Sequence, residues 1–184
     1  MKKRFLAFLL AVCVAVSMLV LPASAVGSNA AVQTATALGG LTAEQAGSLG
    51  APLTRGQAAR LLTAFSAYRD TTTAQGRTGR LYSDVDSDSP YAVYIRTAVQ
   101  NGWMTGYSDG SFRPDRNVTR AELMAMVNRA LGRTPKSAGD LLSGMKTWRD
   151  NANVNAWYYL DVQEATNDHT YTKSGTHETW KKLL

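Results

Sequence analysis

Two four-residue stretches, Thr54-Arg55-Gly56-Gln57 and Thr119-Arg120-Ala121-Glu122, constrain most strongly what this chain can fold into. In each, the threonine hydroxyl is spaced to accept from the backbone N–H three residues on, and the Gln57 or Glu122 side chain is spaced to reach back. That reciprocal pair opens a helix. The apolar residues that follow keep helical spacing: Ala58, Leu61, Leu62 and Phe65 in a helix ending near Tyr68, then Leu123, Met126, Val127, Ala130 and Leu131 in a helix closed by Gly132. Each helix therefore has one face to bury. Upstream of the second, Ser108-Asp109-Gly110 supplies turn chemistry with Gly110 at positive φ, and Pro114 stiffens the connection so that Phe112 folds back onto the helix.

The N-terminus carries an address. Lys2, Lys3 and Arg4 precede an apolar run over 5–21, then Pro22 and Ala23-Ser24-Ala25, the layout of a secretory signal cut after Ala25. Pro22, the small-residue site and the lack of a second apolar segment favour a signal over a membrane anchor, and bulky Val12 before Cys13 argues against a lipoprotein. Cys13 is the one cysteine and leaves with the signal, so the mature chain 26–184 is expected to have no disulfide and no thiol chemistry. Losing Lys2, Lys3 and Arg4 lowers the formal charge from +6 to +3. No dense basic run remains, and Lys181-Lys182 reads as a solvated face, so neither nucleic acid nor, after cleavage, a membrane is expected as a partner.

The chain also repeats itself. Tyr82-Ser83-Asp84 aligns with Trp148-Arg149-Asp150, and Pro90-Tyr91-Ala92-Val93-Tyr94-Ile95 aligns with Trp157-Tyr158-Tyr159-Leu160-Asp161-Val162 at an offset of 67 (157 minus 90). The run from Tyr82-Ser83-Asp84-Val85, through the helix-like 90–102, to Tyr107-Ser108-Asp109-Gly110-Ser111-Phe112-Arg113-Pro114 and Thr119-Arg120-Ala121-Glu122 closely resembles one repeat of the S-layer homology (SLH) family. The resemblance implies an all-α fold: three repeats, over 26–72, 73–134 and 135–184, forming a pseudo-threefold helical bundle with extended connecting loops. The first repeat is abbreviated at its front. In the third, Thr176-His177-Glu178-Thr179 stands where the family has Thr-Arg-Ala-Glu, with a short helix expected from Glu178 and with Trp180, Leu183 and Leu184 facing a core. Loops are expected at 70–79 and 132–139.

The family anchors secreted bacterial proteins to wall polysaccharide, and the resemblance carries that function here. Arg120 and Arg55, one residue after a helix cap, suit a carboxylate beside free backbone N–H groups, the implied ligand resembling a pyruvate-bearing sugar. In the repeats, Trp157 and Tyr91 offer flat faces for stacking on a sugar ring, whereas Trp148, Tyr158 and Tyr159 read as core. Gly106 and Asp109 are further pocket candidates, and His177 takes the place of the third arginine. Asp84-Val85-Asp86-Ser87-Asp88 imitates a calcium loop, but Ser89 and Ile95 replace the required glycine and glutamate. His169 and His177 have no third ligand at zinc spacing, so both read as exposed polar residues and no metal is expected. No catalytic elbow, triad or phosphate cradle is present. The sequence thus reads as a secreted, non-enzymatic, cofactor-free wall-anchoring module for an anionic secondary cell wall polysaccharide. The alternatives are a structural or adaptor protein of a surface layer, self-associating or holding a surface-layer partner, and the anchoring fragment of a longer secreted protein.

Overall fold

The Thr54 capping box forms as the sequence spells it. The Thr54 hydroxyl accepts from the Gln57 N–H at 3.3 Å and the Gln57 carbonyl oxygen accepts from the Thr54 N–H at 2.9 Å. The computed structural model describes residues 26–47, 51–69 and 81–184, so the expected signal at 1–25 and the expected loop at 70–79 lie outside the described residues. The described chain divides into one unit up to Arg120 and a second from Ala121. No helix among the described residues is long and apolar enough to cross a membrane.

In the first unit the helices are α1 (Val26–Ala37), α2 (Ala43–Gly47), α3 (Arg55–Ala64) and α4 (Ala92–Gln100). A capping box that the sequence reading passed over opens α2: Thr42 N–H donates to the Gln45 side chain at 2.7 Å and Gln45 N–H to the Thr42 hydroxyl at 3.2 Å. Helix α3 stops at Ala64 rather than near Tyr68, because the Ser66 hydroxyl donates to the Thr63 carbonyl at 2.8 Å and draws the chain out of helical geometry. Leu61, Leu62, Ile95, Met104 and Phe112 are fully buried, each contributing about 1.5–3 kcal/mol of hydrophobic stabilisation. The loop 105–118 is stitched to the start of α3. Arg55 N–H donates to the Arg116 carbonyl at 2.9 Å, Gly56 N–H to Pro114 at 2.8 Å, and Val118 N–H to Leu53 at 2.8 Å. The first two satisfy the first, otherwise orphaned, donors of α3.

In the second unit α5 (Arg120–Leu131) buries Leu123, Met124, Ala125, Met126, Val127 and Asn128 and ends at Gly132, whose φ of 61° takes the chain out of the helix. Helix α6 (Tyr159–Thr166) starts where the repeat predicts, the cap Tyr158 having φ −96° and ψ −4° against −99° and −10° for Tyr91 at the head of α4. The expected all-α fold is not what forms. The chain makes β1 (Thr134–Pro135), β2 (His169–Ser174) and β3 (His177–Leu183), a three-stranded sheet of order β1-β3-β2. β1 runs parallel to β3 with Thr134 opposite His177, and β2 runs antiparallel to it with Ser174 opposite His177. The helix expected from Glu178 is therefore a strand, and the third helix implied for the bundle is replaced by a hairpin. The reason is local: Thr170, Thr172 and Thr179 favour extended backbone, and Gly175 at φ 62° opens a two-residue hairpin turn. Trp180 is buried on this strand, but Leu183 is only half-buried and Leu184 is exposed.

Candidate functional site

The loop between α4 and α5 is shaped by a carboxylate. Both oxygens of Asp84 accept backbone N–H bonds, from Phe112 and from Arg113, each at 2.7 Å. That clamp holds Arg113 at φ 57°, a left-handed conformation that a non-glycine residue seldom adopts. Gly110, at φ 78°, makes the turn before it. Phe112 then points inward, packed 5.4 Å from the Tyr82 ring and beneath the Arg55 guanidinium at 4.4 Å. Tyr107 is left half-buried.

Three guanidinium groups gather on Tyr107: Arg113 at 4.1 Å from the ring centroid, Arg55 at 5.0 Å and Arg116 at 5.9 Å. All lie within cation–π reach. They differ in what else they do. Arg55 is buried and donates to the Phe112 carbonyl at 2.8 Å and the Thr105 carbonyl at 2.6 Å, so this predicted anion ligand is already engaged with the backbone. Arg113 is half-exposed and pairs with Asp109 at 2.8 Å. Asp109 also accepts from the Ser111 hydroxyl and N–H, and these bonds, with Arg113, hold its carboxyl well below the ordinary carboxylate range. The result is a cationic aromatic surface with a fixed loop backbone. Planar guanidinium groups beside a ring face can hold an anion and a sugar face together.

The other predicted residues of the first unit are placed as follows. Arg120 opens α5 and is half-buried. Tyr91 rests on the start of α3, so close that a Cβ at Gly56 would meet its ring at 2.8 Å. Gly106 is a packing residue: its N–H donates to the Tyr82 hydroxyl at 3.1 Å, and a Cβ there would lie 2.1 Å from the Tyr82 ring. In the second unit Trp157 is 63% exposed, its ring perpendicular to that of Tyr158 at 5.5 Å. His177 is exposed beside the hairpin turn on β3. Because that segment is a strand, His177 does not sit at a helix start, and the equivalence with Arg55 and Arg120 is lost.

The sequence reading missed a second cluster. His169 is not an exposed polar residue but is buried, with its ring stacked on Trp180 at 4.1 Å. It sits beside Glu164 of α6 and Glu178 of β3, with imidazole-to-carboxylate distances of 3.5 and 3.7 Å. Glu164 is well satisfied: Arg133 donates through Nε at 2.9 Å and through a closer second nitrogen, and the Trp180 indole N–H donates at 2.7 Å. Burial, reinforced by the Glu164 charge, pushes the Glu178 carboxyl up. The signal available in the sequence was the alternation Glu178-Thr179-Trp180, which puts a carboxylate and an indole on one inward face of a strand.

Comparison with known proteins fits the loop. The S-layer homology domain profile matches residues 81–124, the stretch that contains Asp84, Tyr107, Asp109, Phe112, Arg113 and Arg120. The chain is 38% identical over 78 residues to a cellulosome-anchoring protein of Acetivibrio thermocellus, covering 42% of this chain and 16% of that protein. It is 32% identical over 91 residues to cell surface glycoprotein 1 of the same organism, covering 50% and 4% respectively. A middle cell wall protein of Brevibacillus brevis is 38% identical over 58 residues, covering 32% of this chain and 6% of that protein. The matches thus span less than a fifth of these relatives' lengths. No solved structure matches the chain.

Proposed function

We propose that this protein is a secreted, non-enzymatic cell-wall anchoring module that holds an anionic, pyruvylated-type secondary cell wall polysaccharide. The observation that carries the reading is the guanidinium cluster on Tyr107, inside the segment that matches the S-layer homology domain. Relatives named for cellulosome anchoring and for the cell wall support the same assignment. In the first unit Arg113 and Arg116 supply charge beside a ring and Arg120 adds a cation; in the second unit the exposed Trp157 ring is a stacking candidate in its own right. Arg55 braces Phe112 and Tyr107 from below.

The test is sedimentation of the mature protein with purified wall sacculi, before and after chemical removal of the secondary polymer. Binding to polymer-bearing sacculi alone is the expected result, and Arg120→Ala should weaken it about tenfold, or about 1.4 kcal/mol. Equal binding to bare peptidoglycan would sink the polysaccharide assignment. A relative named as a surface layer protein of Brevibacillus choshinensis, 38% identical over 58 residues, favours a second reading as a structural or adaptor component of a surface layer. Reversible self-association in sedimentation equilibrium, without sacculus binding, would select it.

A further inference from the structure

We propose that Glu164, His169 and Glu178 bind a divalent transition-metal ion of the zinc class. The three come from α6, β2 and β3, and one donor atom from each lies within 4.8 Å of the others. Their side chains are almost wholly buried, at 2% exposure for His169 and 0% for both glutamates.

The donors that face inward are the ones that lack partners. Both carboxylate oxygens of Glu178 and Nε2 of His169 are buried without a hydrogen bond among the described residues. Leaving a buried charged group unmatched costs several kcal/mol, roughly, so such atoms call for a ligand. The imidazole is already committed on its other side. His169 Nδ1 lies 2.7 Å from the Asn167 carbonyl, which can only accept, so Nδ1 is the donor and Nε2 is the ring nitrogen that faces the cluster. A backbone carbonyl fixing the tautomer of a histidine is a recurrent support for a metal ligand.

Distance separates a metal from a shared proton. A protonated Nε2 would have to donate across 3.5 Å to Glu164 or 3.7 Å to Glu178, too far for a sound hydrogen bond. The same spacings lie close to the edge of a coordination tetrahedron, about 3.3–3.6 Å for metal–ligand bonds of about 2.0–2.2 Å. Both Glu164 oxygens are held, one by Arg133 and one by Trp180, so Glu164 is set to give one donor atom. Each residue offers one donor atom, three in all, which leaves the fourth position of a zinc tetrahedron to water. Charge points the same way: coordination ionises both carboxylates, two negative charges against the one positive charge of Arg133, and a dication offsets the excess. Lys173 contributes a further, more distant positive charge toward Glu178. One nitrogen and two carboxylate oxygens favour zinc, cobalt or manganese over calcium, which takes six to eight oxygens, roughly, and over magnesium, which keeps most of its water.

The experiment uses the whole mature chain, stripped with a chelator and titrated with zinc alone, then with magnesium alone. Calorimetry should give one zinc per chain, a rise in melting temperature on zinc addition, and no comparable effect of magnesium. His169→Gln and Glu178→Gln, each checked for fold by near-ultraviolet circular dichroism, should weaken zinc at least tenfold, whereas His177→Ala should not. Should those variants fail to fold, cobalt substitution in the wild-type chain decides: intense visible bands of four-coordinate cobalt support the site. Their absence overturns it. So does an imidazole nitrogen spectrum in which His169 stays doubly protonated at neutral pH with zinc present, or zinc binding lost only with His177.

Discussion

Arg55 and Arg113 touch the same tyrosine ring and differ in everything beneath it. Arg55 gives two bonds to backbone carbonyls from a buried position, so Arg55→Ala should destabilise the fold by about 3 kcal/mol, the sum of two charge-assisted bonds of about 1.5 kcal/mol each. Arg113→Ala removes an exposed pair with Asp109 and should leave thermal melting nearly unchanged while reducing sacculus binding. Urea unfolding beside sedimentation measures both, and an Arg113→Ala protein that binds normally would remove the ring surface from the proposed site. Asp109 carries a pH prediction. Its folded carboxyl is held below the unfolded value, near 3.9, so its stabilising contribution is complete above that value and lost as pH falls below it. Melting temperature should therefore drop less between pH 6 and pH 3 in Asp109→Asn than in the wild-type chain. At this scale the sequence named Arg55, Asp109 and Gly106 but not their work. The contacts that decide it, such as Gly106 against Tyr82, join residues distant in the chain.

Element starts were legible and one element type was not. The capping box at Thr54 and the aromatic helix entry at Tyr91 and Tyr158 are local signals that no tertiary contact had to complete. Thr54→Ala should cost about 1 kcal/mol, since it removes one of the two reciprocal bonds at the head of α3. Chemical denaturation reads this directly, and a change below about 0.3 kcal/mol, under the usual range for such caps, would show that the loop bonds from Arg116 and Pro114 suffice. The hairpin was misread because repeat alignment was carried into 176–179, where the pattern is strand alternation. Gly175→Val should test that element: a β-branched residue at φ 62° is strained, so the hairpin should loosen. Amide exchange in β2 and β3 should accelerate while α3 and α4 keep their protection.

On the scale of the whole molecule, it is the resemblance to S-layer homology repeats, and not length or charge, that implies a surface-anchoring role. The match to the S-layer homology domain falls on the best-preserved repeat. The sheet and the Glu164–His169–Glu178 cluster escaped because they depend on which segments meet, and residues 133, 164, 169 and 178 share no motif. On the proposed reading, in which the signal is removed and the ligand is held by ring faces as well as cations, sacculus binding should fall only partly between 0.05 and 0.5 M salt, roughly. Complete release at the higher salt would assign the interaction to surface charge alone.

The chain also carries its own optical reporters. Trp180 is 2% exposed and has its ring against His169, whereas Trp157 is 63% exposed. Indole emission shifts to shorter wavelength in an apolar setting, so the two residues emit at opposite edges of the protein's band. A soluble quencher should silence Trp157 first, and a sugar stacked on that ring should shield it. Cobalt beside His169 should instead quench the Trp180 share of the blue edge, leaving the share of the other buried indole, Trp103. A single fluorescence cuvette can thus watch the proposed sugar-stacking residue and the buried cluster separately.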